Sequence, residues 1–247
     1  MKEENLIYGK HPLIEALKAG KPFEKILLQN GTSNAEMKEL SSLARHAGIP
    51  VQYVPHQKLN KVTRNNHQGM IGFGTLISYY DLQDILMQCY DLNKVPLFLL
   101  LDRVTDVRNF GAIARTAECC GASAIVVPAT GGALIHADAI KASAGALNLI
   151  PVCKVNRLEE AVDLLTLNGL QILVSEMDAE KNLHEVDFSA PTAIIMGSEG
   201  EGVSGKLASM ANDSFKIPMI GATESLNVSV AAGMVLYEAV RQRLVKG

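Results

Sequence analysis

A series of short, nearly unbroken apolar runs in the second part of the chain constrains the fold more than any other feature. They lie at Pro96–Leu101, Ala124–Val127, Leu149–Val155, Gln171–Ser175, Thr192–Met196 and Ser214–Ile217. A strand with one wet face alternates apolar and polar residues. A strand that is apolar throughout is buried on both faces, as in a mainly parallel sheet covered by helices on each side. Helical stretches separate the runs at Phe110–Cys120, Ala137–Ala144, Arg157–Asn168 and Asn227–Val245. The expectation is a doubly wound α/β domain that binds its ligand beyond the carboxyl ends of the strands. The chain has 247 residues, 48% of them hydrophobic, which suffices for such a core.

The same inventory narrows the class. The apolar run from Val95 to Leu101 is far too short for the roughly 18 residues that a bilayer span needs. The N-terminus is polar and lacks the apolar segment of a signal peptide. A soluble cytoplasmic protein without a membrane partner is therefore expected. Cys89, Cys119, Cys120 and Cys153 form no C-x-x-C pair, so neither a metal site nor a disulfide framework is suggested and buried free thiols are expected.

The front of the chain reads differently. A helix at 5–20, a strand at Lys25–Gln29, a helix at Ser33–Ala47 and strands at Pro50–Pro55 and Met70–Ile77 suggest a small α/β module over 1–77. Residues 78–94 read as a helical linker, and 95–247 form the second domain. No internal repeat is visible. Charge is unevenly divided. Residues 1–80 hold ten Lys and Arg against six Asp and Glu, whereas the rest holds 13 against 20. A basic front suits a polyanion. The segment from Lys61 to Gly69, with Arg64 and His67, is cationic and rich in amide donors. It is a candidate RNA contact or an ordinary solvated loop.

Three segments carry candidate chemistry. The first runs from Leu101 to Glu118, a strand end, a polar turn and a helix. Asn109 is placed to open that helix as its cap. Arg115 follows in an otherwise small and apolar helix, so its guanidinium needs an anionic partner, a ligand or an internal acid such as Glu199. The second is Gly197-Ser-Glu-Gly-Glu-Gly202 after a buried strand. Its glycines permit positive φ and close backbone approach. It is neither a dinucleotide fingerprint nor a Walker loop, and its acids disfavour a phosphate and suit an adenosine or a cationic ligand. The third runs from Ile217 through Ser225 and Asn227 into the last helix. There both side chains are candidates for ligand contact or for capping.

Together these segments resemble the SpoU/TrmH branch of the SPOUT methyltransferases. The resemblance rests on Asn109, Gly111 and Arg115-Thr-Ala117, on Gly197-Ser-Glu-Gly-Glu-Gly202, and on Ile217-Pro-Met with Ser225-Leu-Asn-Val-Ser229. It covers roughly 95–247, with no departure at a motif position. The front module, with Tyr8-Gly-Lys-His-Pro12 and His67-Gln-Gly-Met70, is similar to the RNA-binding module of the subgroup that methylates a guanosine of 23S rRNA. The resemblance implies S-adenosyl-L-methionine as cofactor, a ribose 2′-hydroxyl of rRNA as acceptor, a C-terminal trefoil knot and a homodimer whose helices pack across the active site. It places the cofactor against Gly197, Ile217 and Leu226, and Asn109, Arg115, Glu199, Ser225 and Asn227 around the reaction centre.

The chemistry refines the roles. The acceptor alcohol is nearly fully protonated at neutral pH, and a guanidinium rarely gives up its proton. Arg115 is therefore expected to stay cationic, stabilising a developing alkoxide or holding a phosphate, with Asn109 and Glu199 fixing it and Ser225 and Asn227 orienting the nucleotide. The alternatives are a tRNA ribose methyltransferase, which shares the motifs, and a non-catalytic RNA-binding assembly factor, which would not need all four of Arg115, Glu199, Ser225 and Asn227. A nucleotide-binding dehydrogenase lacks its fingerprint here.

Overall fold

The computed structural model describes residues 6–31, 35–132, 135, 137–223 and 225–246. The first residues of the helices expected from 5 and from 33 lie outside these, as does the extreme N-terminus. The chain divides into two compact units, Met1–Leu76 and Ile77–Gly247.

The first unit is a four-stranded sheet. Its order is β1 (Leu6–Tyr8), β4 (Met70–Gly74), β2 (Phe23–Gln29) and β3 (Val51–Val54). β4 runs antiparallel to both neighbours, and β2 pairs with β3 in parallel. Successive residues of β2 face opposite sides. Ile26 and Leu28 pack with α1 (Lys10–Lys18) and α2 (Ala35–His46), while Leu27 packs with Leu59 of α3 (His56–Val62). The helix expected at 5–20 is thus a strand followed by a helix. Leu6-Ile7-Tyr8 is a β-prone apolar triplet, and Gly9 turns the chain at φ 90°, a value suited to glycine. The helix α3 fills the stretch left unassigned between the strand ending at Pro55 and the loop from Lys61, and takes the first two residues of that loop. At seven residues it shows too little periodicity to be read.

The second unit is an eight-stranded sheet in which every pair is parallel. Its order is β10 (Lys181–Asn182), β12 (Asp213–Lys216), β9 (Gln171–Ser175), β11 (Thr192–Met196), β6 (Leu97–Leu101), β7 (Ala124–Pro128), β8 (Val152–Val155) and β5 (Tyr79–Tyr80). Burial on both faces, inferred from the apolar runs, holds at the centre. Leu97, Leu99 and Leu101 join one core with α5 (Val107–Cys119), α6 (Ala137–Ala142) and α9 (Val228–Lys246). Phe98 and Leu100 join the other, with α4 (Leu82–Asp91), α7 (Leu158–Leu167) and α8 (Gly205–Ala208). Each fully buried Phe or Leu of these layers contributes about 2 kcal/mol.

Two expectations need correction. Residues 78–94 are no free-standing linker: β5 pairs with β8, and Leu82, Ile85 and Leu86 of α4 are buried in the second core. The short strand was hidden because two residues leave no period to read. Of the four thiols, Cys89 and Cys153 are buried, but Cys119 is exposed and Cys120 half-buried at the end of α5. Burial pushes the Cys153 thiol up to about 12.

The topology also locates a site. From β6 the chain runs outward through β7 and β8, then crosses to fill the opposite side with β9, β11 and β12. β6 and β11 therefore lie side by side at a switch in strand order, where the segments leaving their carboxyl ends face each other.

Candidate active site

Three segments meet at the carboxyl ends of β6, β11 and β12. Beyond β6, the carboxylate of Asp106 accepts hydrogen bonds from the backbone N–H of Arg108 at 2.8 Å and of Asn109 at 2.9 Å. Asp106, not Asn109, is therefore the N-cap of α5. Released from capping, the Asn109 side chain sits in the first turn. Its Nδ2 donates to Glu199 Oε1 at 3.0 Å, and its Oδ1 accepts from Asn227 Nδ2 at 3.1 Å.

Beyond β11 the chain folds back on itself. A Cβ at Gly197 would lie 2.0 Å from the carbonyl carbon and oxygen of Gly202, an impossible approach. Gly202 adopts φ 62° and donates its N–H to Ser198 O at 3.0 Å. The glycine run thus serves first to let the loop cross its own backbone, and its crossing point forms a pocket wall. The loop is tied down at its far end, where Ser204 N–H donates to the buried Asp102 at 2.7 Å.

Beyond β12, Ser225 and Leu226 lead into Asn227 and α9. Asn227 Oδ1 accepts from Ser229 N–H at 3.0 Å, as a capping side chain does, while its Nδ2 donates to Glu199 Oε1 at 2.6 Å. The same carboxylate oxygen accepts from Val228 N–H at 3.2 Å, where the helix N-terminus favours negative charge. Capping and site-building are both realised in one residue. Glu199 is the hub of the cluster, joining Asn109 to Asn227.

Next to this cluster lies a cavity of about 470 Å³. Its walls are residues 175–178 and 196–203, closed by Ile217, Met219, Ser225 and Leu226. Among the expected residues, Gly197, Glu199, Ile217, Ser225 and Leu226 line it. Carboxylates at Glu176, Asp178, Glu199 and Glu201 belong to its lining, and among the described residues no Lys or Arg does. Its floor is apolar, from Met196, Ile217, Val228 and Ala231.

Arg115 stands apart. Six residues beyond Asn109, it is rotated roughly 120° from it and lies about 9 Å further along α5. It is exposed, is absent from the cavity lining and makes no hydrogen bond or ion pair among the described residues. Glu199, expected as its partner, is taken by the two asparagines instead. Residues missed by sequence reasoning are Asp102, Arg103, Glu176 and Asp178. Each follows a buried strand, and that position is the one signal that could have flagged them.

In the first unit, Lys61 and Arg64 are exposed. His67 is not: it is buried, its Nδ1 accepts from Gly69 N–H at 3.0 Å, and its Nε2 donates to Asn60 Oδ1 at 2.9 Å. Both ring nitrogens are spent on the loop, so His67 organises it and offers nothing to a ligand. Burial, then the neighbouring His56 ring at 5.0 Å, pushes its pKa down.

Comparisons with known proteins agree with this architecture. Residues 96–237 match the SpoU rRNA methylase family, and residues 6–79 match the substrate-binding domain of RNA 2′-O ribose methyltransferases. YacO of Bacillus subtilis (strain 168), assigned to the TrmH family of tRNA/rRNA methyltransferases, is 32% identical over 98% of this chain and 97% of its own. Among solved structures, an AdoMet-bound rRNA methyltransferase from Sinorhizobium meliloti is 27% identical, with a TM-score of 0.60 over 96% of this chain and 87% of that one. The TrmH/SpoU tRNA modifying enzyme of A. aeolicus is 31% identical, with a TM-score of 0.58 over 66% of this chain and 86% of that one. With both units matched in order, and with Asn109, Glu199 and Asn227 drawn together where β6 and β11 end, the chain belongs to the SpoU rRNA methylase family and is an RNA methyltransferase of the SpoU/TrmH type.

Proposed function

We propose that the enzyme methylates the ribose 2′-hydroxyl of a guanosine in 23S rRNA, using S-adenosyl-L-methionine held in the cavity beside Glu199. The observation that carries this reading is the composition of that cavity. Its size suits a small molecule, its floor is apolar, and Glu176, Asp178 and Glu199, with no cation among the described lining residues, suit a positively charged ligand and repel a phosphate. Gly197, Ile217 and Leu226 would hold the adenosine against backbone. When bound, the cofactor supplies an electrophilic methyl carbon on a cationic sulfur, so no acid is needed for the leaving group.

The protein's own groups then supply position and charge. Asn109, Glu199 and Asn227 fix the three segments relative to one another. Ser225, exposed at the cavity mouth, is placed to hold the nucleotide. Arg115 stays cationic and stabilises negative charge on an oxygen that is losing its proton.

Because Arg115 is exposed, makes no hydrogen bond or ion pair among the described residues and is absent from its own cavity lining, we place it in the cavity of a second copy. α9, which packs against α5, carries an exposed stripe of Val230, Met234, Tyr237 and Leu244. Spacings of four, three and seven residues put these on one helix face. An apolar stripe of this kind suits association, and a homodimer through α9 is part of the proposal. So is the C-terminal trefoil knot of the family, and so is a cytoplasmic location, where the RNA is.

The substrate is favoured as rRNA because likeness to the S. meliloti rRNA enzyme runs over nearly the whole chain, whereas likeness to the tRNA enzyme covers two thirds of it. Lys61 and Arg64, with Lys25 and Lys58 near each other, would bind the phosphate backbone. Charge reversal at Lys61 and Arg64 should weaken binding of an rRNA fragment and flatten its salt dependence. The deciding experiment is nucleoside mass mapping of rRNA and tRNA from cells lacking the protein. A missing 2′-O-methylguanosine in 23S rRNA is expected. A methyl missing from tRNA instead would favour the tRNA reading, and no missing methyl would favour a non-catalytic assembly factor.

A further inference from the structure

Arg103 belongs to none of the residues that carry the resemblance, yet its guanidinium contacts two residues of the cavity wall, Glu201 and Gly202. It follows β6 in the left-handed region, at φ 55°, a conformation that an L side chain adopts at a cost and that marks sites where surrounding structure dictates it. Its guanidinium crosses to the glycine loop. Nη1 meets the Glu201 carboxylate, and Nη2 donates to Gly202 O at 3.0 Å. Nε is buried without a hydrogen bond, 3.4 Å from Asp102 Oδ2. That oxygen is already committed to Ser204 N–H. Two consecutive residues therefore grip the loop, Arg103 at 201–202 and Asp102 at 204.

The Gly202 carbonyl has a second role that gives this grip its meaning. Its carbon and oxygen occupy the space where a side chain on Gly197 would be. It is thus the peptide that crosses over the cavity wall, and Arg103 holds it there. The ion pair itself is largely exposed, with Glu201 72% accessible, and such pairs add little to global stability. A strained backbone and a buried Nε that makes no hydrogen bond are not what stability alone would select.

We infer that Arg103 is a positioning residue, a latch that presets the segment 201–204 as a wall of the methyl-donor cavity. This rests on the reading of that cavity as the S-adenosylmethionine site. The latch lowers the cost of ordering the loop when the donor binds, so it acts on donor affinity and not on the reaction centre.

Arg103→Gly separates these effects, because glycine adopts φ 55° freely and relief of strain offsets the added freedom of the unfolded chain. Calorimetry should show S-adenosylmethionine binding weakened about 10-fold, the loss expected when charge-assisted hydrogen bonds are removed, at an unchanged melting temperature. The KM for the donor should rise far more than kcat falls. Arg103→Lys, which can meet Glu201 but not Gly202 O as well, should recover only part of the affinity. In hydrogen exchange without donor, the amides of 202–204 should lose protection in Arg103→Gly. Wild-type donor affinity in Arg103→Gly, or unchanged exchange at 202–204, overturns the latch. Failure of the wild-type protein itself to bind the donor overturns the cavity reading instead.

Discussion

A Cβ on residue 197 would stand 2.0 Å from the Gly202 carbonyl, and one on Gly200 would meet nothing within 4 Å. Two glycines of one loop are therefore under different constraints. Gly197→Val must force the crossing apart, and the expected result is loss of S-adenosylmethionine binding in calorimetry together with a lower melting temperature. Gly200→Ala, at an ordinary φ, should bind the donor like wild type and melt at the same temperature. Wild-type affinity in Gly197→Val would mean that the loop can reroute. At this scale the sequence reading found Asn109, Glu199 and Asn227 because their residue types were legible in the motifs. It misjudged how they are used. Asp106 and Asn109 are both competent caps, and residue type alone does not say which one starts the helix. Nor does it show that a glycine is demanded by a neighbouring peptide instead of a ligand, since the two peptides are five residues apart and meet only in three dimensions. Arg103 was invisible for a related reason: a cation after a strand is common, and only its φ and its reach mark it.

Elements were legible in proportion to their length and period. The central strands of the second unit declared themselves by unbroken apolarity, and their helices followed, apart from their ends and the four-residue α8. The two- and three-residue strands and α3 did not, because tertiary pairing, not local pattern, decides such short pieces. Packing between elements yields two further predictions. Where α5 crosses α6, a Cβ on Gly111 would lie 2.6 Å from Ala139 O and from Ala142 Cβ. Backbone cannot yield as a flexible side chain can, so Gly111→Ala should destabilise the protein by about 1–3 kcal/mol, read by urea unfolding. In the loop joining α3 to β4, buried neutral His67 has its pKa held below the usual 6.5. The unfolded chain then binds the proton more readily than the folded one. The stabilisation is complete above about pH 6.5 and is lost as pH falls toward the depressed native value. Thermal unfolding should show lower stability at pH 5.5 than at pH 7.5, and His67→Asn should lose most of that difference. A pH-independent melting curve in the wild-type protein would contradict this assignment.

At the scale of the whole molecule, a single chain leaves the proposed reaction centre incomplete. Among the described residues its cavity is lined by carboxylates and no cation, its one motif guanidinium is exposed and unpaired, and α9, packed against the helix that carries that guanidinium, shows an apolar stripe to solvent. Sequence could supply the parts but not whether one copy or two contribute them, because motif spacing is blind to which chain a neighbour comes from. A two-fold dimer resolves this if Arg115 of each copy completes the other's cavity, and the idea has a sharp consequence. Arg115→Ala and Ser225→Ala should each be inactive in methyl transfer. Co-assembled in equal amounts, half of the dimers are mixed, and each mixed dimer has one site with both lesions and one with neither. About a quarter of wild-type activity should therefore return. If Arg115 served its own chain, every site would carry a lesion and the mixture would be as inactive as its parents. Recovery also demands that the mixed species be dimers, so sedimentation must show a stable two-copy particle that Tyr237→Lys, on the exposed stripe, dissociates. Activity without recovery on mixing would return Arg115 to its own cavity, and a monomer with full activity would remove the dimer from the mechanism altogether.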